Sequence, residues 1–80
     1  MNDTQARVAR CFSSVFPSVP QDQISAASPE SVPTWDSLAH IRLLSAVAEE
    51  FGLEFDMEDY EELQSVPLIV AYLEKKKSHG

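Results

Sequence analysis

The sequence predicts an all-α fold, a small four-helix bundle with a long first loop and a short third helix. Three observations predict it. Apolar residues recur at spacings of three and four, the helical period, and nowhere alternate as half-buried strands do. Helix-starting and helix-ending residues (Asp36, Gly52, Ser65) stand where these apolar runs begin and end. The length of 80 residues, 44% of them hydrophobic and without an internal repeat, suits one small domain over residues 1–80.

The first helix is expected over about residues 4–16. Val8, Cys11, Phe12, Val15 and Phe16 form its apolar stripe, Arg7 and Arg10 lie opposite, and Pro17 forces an end. From Pro17 to Asp36 prolines and serines replace any period. A structureless loop of that length is uncommon in a compact domain. Val19, Ile24, Val32 and Trp35 can anchor it, so it reads as an ordered crossover with a helical turn near Gln21–Ile24.

The second helix is expected over about 37–51. Asp36 is its N-cap and Gly52 its C′ terminator. At about 100° per residue, Leu43, Leu44, Val47, Ala48 and Phe51 share one arc, with His40 inside it. Arg42, Ser45 and Glu49 fall on the other side, and Leu38 with them. A short third helix fits about 56–63, with Met57, Tyr60 and Leu63 expected inward at steps of three. Ser65 caps a last helix over about 66–76, which tolerates Pro67 in its first turn. Val66, Ile69, Val70 and Leu73 form its stripe, and Lys75, Lys76 and Lys77 suit the negative end of its dipole. His79 is expected in a disordered tail.

Composition excludes several functions. Thirteen acids against six bases give a formal charge of −7, which opposes nucleic-acid binding and favours basic protein partners. The lone Cys11 rules out an internal disulfide and a cysteine-based metal site, and points to a reducing, cytoplasmic setting. No segment approaches the roughly 18–20 apolar residues of a membrane helix, and the N-terminus does not resemble a signal peptide. With only Gly52 and Gly80, there is no glycine-rich phosphate loop. An enzyme with its own substrate cleft is not expected.

The sharpest local feature is Asp36-Ser37-Leu38, where the proline-rich loop hands over to a helix. A helix start of this kind attracts phosphate through unpaired N–H groups and the macrodipole. Three residues alone recur by chance, and on them the serine would be an inert helix start. The wider stretch from Trp35 to Leu73 resembles the acyl carrier protein family, in its stand-alone form. The resemblance rests on Asp36-Ser37-Leu38, on the apolar pattern Ile41, Leu43 and Val47, and on Glu49-Glu50-Phe51-Gly52-Leu53-Glu54-Phe55. An acidic short helix and a Ser65-Val66 helix start follow in the order that the family shows.

The resemblance implies that Ser37 carries 4′-phosphopantetheine, flanked by Asp36 and Leu38 and installed from coenzyme A by a phosphopantetheinyl transferase. It implies a monomeric, non-catalytic carrier of acyl thioesters for acyl-loading, condensing and acyl-transfer enzymes of fatty acid or polyketide-like biosynthesis. The chain departs from housekeeping members, which commonly have Gly where Thr34 stands and acids where Ala39 and Arg42 stand. Trp35 and His40 are more similar to carriers of specialised pathways. Peptidyl carriers usually show Gly-Gly before the motif, absent here. The competing class is an unmodified acidic adaptor that only binds proteins.

Residues 49–62 hold eight acids and no base. They are expected to be a docking patch (Glu49, Glu54, Asp56, Glu58, Asp59) together with Leu38, Ile41 and Arg42 beside the motif, against the plainer reading of a solvated acidic face. A calcium loop counted from Asp56 fails, because Glu61 and Pro67 stand where Gly and Glu are needed. Asp36, Ser37 and His40 invite a hydrolase reading, but one helix supplies neither oxyanion hole nor nucleophile elbow. His40 is expected to be a partly buried structural residue and Cys11 a core residue.

Overall fold

The computed structural model describes the backbone of residues 3–79 and the side chains of residues 3–76. Within them the protein is all-helical: α1 (Asp3–Val15), α2 (Gln21–Ile24), α3 (Ser37–Phe51), α4 (Met57–Glu62) and α5 (Val66–His79). The α2 turn lies in the long crossover, so four longer elements and one short turn make up the bundle.

Helix α1 packs against both α3 and α5, with α2 lying on α1 and α4 on α3. Its stripe forms because Val8, Cys11, Phe12 and Phe16 recur on one face, and all four are buried. Thr4, which no apolar pattern marks, is buried on the same helix. From α3 come Leu43, Leu44 and Val47, and from α5 Val66, Ile69 and Leu73, closing the core.

The crossover is ordered by its anchors: Ile24, Ala27, Val32 and Trp35 are buried. Backbone hydrogen bonds Ala27 to Ile24, Val32 to Ser28 and Trp35 to Val32 fold it into successive turns. The Val66 N–H donates to the Ala27 carbonyl at 2.9 Å, fixing the start of α5 against this loop.

Two expectations need correction. Met57 points outward, 80% exposed. Steps of three lag the helical period by about 60° each, so two steps back from buried Leu63 the side chain has rotated out of the core. Asp56 is the N-cap of α4 and Leu63 its C-cap, so the helix proper is Met57–Glu62. Helix α5 continues past the expected end at Lys76 to His79. Lysines are good helix formers and no Pro or Gly precedes Gly80 within this stretch. The side chains of Lys77 and His79 lie outside the described residues.

Candidate functional site

The site is built at the start of α3. Asp36 has an extended backbone, and its carboxylate accepts from the Ala39 N–H at 2.9 Å. The His40 N–H closes the first turn on the Asp36 carbonyl at 2.8 Å. The N–H groups of Ser37 and Leu38, lying before that first bond, have no partner within the helix. Ser37, the first helical residue, is exposed, and no hydrogen bond to the described residues restrains its hydroxyl.

Beside Ser37 a groove of about 770 Å³ runs between α3 and α4. Ile41, Phe55 and Met57 give it apolar walls, Asp36, Asp56 and Glu61 an acidic rim, and Trp35, His40 and Tyr60 its floor. The Trp35 Nε1–H donates to His40 Nδ1 at 3.0 Å, and His40 Nε2 lies 2.7 Å from the Tyr60 carbonyl. An indole can only donate and a carbonyl can only accept, so the imidazole carries its proton on Nε2. Both ring nitrogens are therefore occupied, and neither is left to activate Ser37. The serine hydrolase reading ends there.

The same residues complete a run of rings. Phe12, Trp35, His40 and Tyr60 follow one another at centroid distances of 5.6, 5.9 and 6.4 Å, linking α1 through the crossover to α3 and α4. The floor of the groove is thus continuous with the core. Sequence reasoning missed this: the His40–Tyr60 bond spans 20 positions, and no local pattern announces a backbone carbonyl as partner.

The expected docking residues separate into groups. Leu38 (59% exposed), Ile41 (47% exposed) and Arg42 share the outer face of α3 next to Ser37. Glu49 lies on the same helix, about 18 Å along its axis from Ser37 at 1.5 Å per residue. Asp56 and Asp59 form a capping box, each carboxylate accepting from the other's backbone N–H at 2.9 and 3.1 Å. Asp59 also accepts from the Tyr72 hydroxyl at 3.2 Å. Glu54 and Glu58 are exposed.

Glu50 is withdrawn from the acidic stretch. It accepts from Arg7 Nε at 2.8 Å, while its carbonyl accepts from the same guanidinium at 2.8 Å. That hydrogen bond is the main cause holding Arg7 still more firmly protonated than usual. The guanidinium also stacks 4.2 Å over the Phe51 ring, tying α1 to the end of α3. Burial, aided by the Glu50 charge, pushes the Cys11 thiol up. Among the described residues no three side chains group to hold a metal, and no helix is long and apolar enough to cross a membrane.

The geometry is that of a small helical bundle with an accessible serine at a helix start beside a groove, the arrangement that a carrier scaffold requires. The family model for the phosphopantetheine attachment site matches residues 35–73, the stretch containing the crossover's end, α3, α4 and most of α5. The chain is 49% identical over 41 residues to an acyl carrier protein of Bdellovibrio bacteriovorus, covering 51% of this chain and 53% of that protein. It is 43% identical over 42 residues to an acyl carrier protein of Solidesulfovibrio magneticus, covering 52% and 54%. The match thus spans about half the length of these relatives. Over this half of its length the chain is similar to the acyl carrier protein family, whose prosthetic group is covalently held 4′-phosphopantetheine.

The α3 start suits that group. It offers an unrestrained, exposed hydroxyl for the phosphodiester, with the Ser37 and Leu38 N–H groups at the positive end of a 15-residue helix dipole.

Proposed function

We propose that Ser37 is the attachment residue and that the protein carries acyl groups between enzymes without catalysis of its own. The observation that carries this reading is the placing of Ser37: it lies within the matched stretch, exposed at the first position of α3 and opening on the α3–α4 groove. Ser37 would hold the phosphopantetheine group through a phosphodiester on its hydroxyl oxygen, the adenosine bisphosphate half of coenzyme A being the leaving group. When bound, the group supplies a long arm ending in a thiol that holds acyl groups as thioesters. The protein's own residues do two things, and the arm a third. Asp36 fixes the helix start, α3 holds the anchor point rigid, and the tether raises the effective concentration of cargo at a docked enzyme.

Leu38, Ile41 and Arg42 form the nearest docking face, with Glu54 and Glu58 as outlying charges and Glu49, Asp56 and Asp59 in lesser or structural positions. An apolar centre with a neighbouring charge is the form that interface hot spots take. The partners are a phosphopantetheinyl transferase and acyl-loading, condensing and acyl-transfer enzymes. Arg42 and Ala39, standing where housekeeping members carry acids, favour a specialised pathway over core fatty acid synthesis. Incubation with coenzyme A and a broad-specificity transferase, followed by intact-mass analysis, tests the assignment. Wild type gains one phosphopantetheine and Ser37→Ala none; modification of the alanine variant refutes Ser37 as the site, and none in wild type refutes the carrier reading and favours an unmodified adaptor.

A further inference from the structure

We infer that the Trp35–His40–Tyr60 bridge bars the bundle interior to cargo, and that an acyl chain borne at Ser37 stays in the open α3–α4 groove against Ile41, Phe55 and Met57. The inference rests on the attachment at Ser37 proposed above. The seam between that groove and the α3 side of the core runs past His40, which bonds to Trp35 on one side and to the α4 backbone on the other. Directly beyond it, three and four residues on and on the same face of α3, Leu43 and Leu44 are fully buried. A chain entering here must break both hydrogen bonds of His40 and separate a stack of rings.

Magnitudes decide the outcome. Each buried polar group left without a partner costs about a factor of 5 to 150, and opening the seam orphans the Trp35 indole, the His40 imidazole and the Tyr60 carbonyl. Each methylene moved from water to an apolar interior gains about a factor of four. It gains less when moved from the groove, where Ile41 and Met57 already cover it. At the middle of that range the three losses multiply to about 10⁴, against about 10³ for the five carbons of hexanoyl beyond its carbonyl, so a six-carbon chain does not offset the loss. The cargo that suits such a carrier is a short or oxygenated acyl group, which water tolerates; a long alkyl chain would be left bare.

The test loads hexanoyl from hexanoyl-coenzyme A with a transferase and compares it with unacylated holo-protein by amide NMR and with the acetyl-loaded form by hydroxylamine cleavage. Intact mass first places the arm on Ser37. In wild type, shift changes should stay at Ile41, Met57 and Tyr60, with cleavage within about twofold of the acetyl form. In His40→Leu they should extend to Leu44, Val47 and Ile69, with cleavage slowed about tenfold, since the interior can now admit several methylenes. His40→Gln, whose amide can accept from Trp35 and donate to Tyr60, should restore wild-type behaviour. If His40→Leu does not fold, Trp35→Phe opens one side of the bridge and should show the same change in direction. Core shifts in loaded wild type, or no added protection in the bridge variants, overturn the bar while leaving the attachment intact. Absence of the arm from Ser37 overturns both.

Discussion

Leu38→Ala separates a docking residue from a packing one. Leu38 is 59% exposed, so about two-fifths of its side chain is covered. Full burial of the three carbons lost would be worth about 2.4 kcal/mol. Scaled to the covered share this is about 1 kcal/mol, and alanine's better helix propensity returns a few tenths. The melting temperature should therefore fall by about 3–6 °C. If Leu38 is a central anchor for the transferase, removing it costs about 2 kcal/mol of interface energy, a loss of about 30-fold in kcat/KM for phosphopantetheinylation. Time courses by intact mass at subsaturating carrier measure the second quantity, and calorimetry the first. A drop of more than about 10 °C with unchanged transfer kinetics would show that Leu38 packs beneath the crossover, and the docking argument would fail.

Two further outcomes follow from single positions. Gly52 closes α3 with φ 65°, and a Cβ built there meets nothing within 4 Å. Gly52→Ala should therefore cost about 1–2 kcal/mol from backbone strain alone, and Gly52→Asn less, read by urea titration. Burial raises the Cys11 thiol above its ordinary value of 9.0. Above that pH the unfolded thiol ionises while the folded one stays protonated, so the unfolded state binds fewer protons and stability falls as pH rises. Urea midpoints from pH 8 to 10 should show that slope, and Cys11→Ala should lose it; an unchanged slope would contradict a buried neutral thiol.

The expected helix positions agree with the structure to within a few residues because each signal is local. A capping carboxylate such as Asp36 reaches only the third N–H ahead, and the arc of Leu43, Leu44 and Val47 repeats within a turn or two. The Ser65 hydroxyl likewise accepts from the Leu68 N–H at 3.3 Å. Met57 departs from expectation because a six-residue helix is too short for its period to separate three from 3.6.

Residue order alone is enough to locate the helices, their ends, the serine at the start of α3 and the family that these residues resemble. What surrounds that serine is settled by packing. Arg7 finds Glu50 across 43 positions, and His40 is spanned between Trp35 and a carbonyl on α4. Each depends on how α1 and α4 come to rest on α3. The physical reason is reach: caps and periodicity act through bonds and spacings within a turn, whereas a hydrogen bond between distant segments exists only after packing has brought its two halves together.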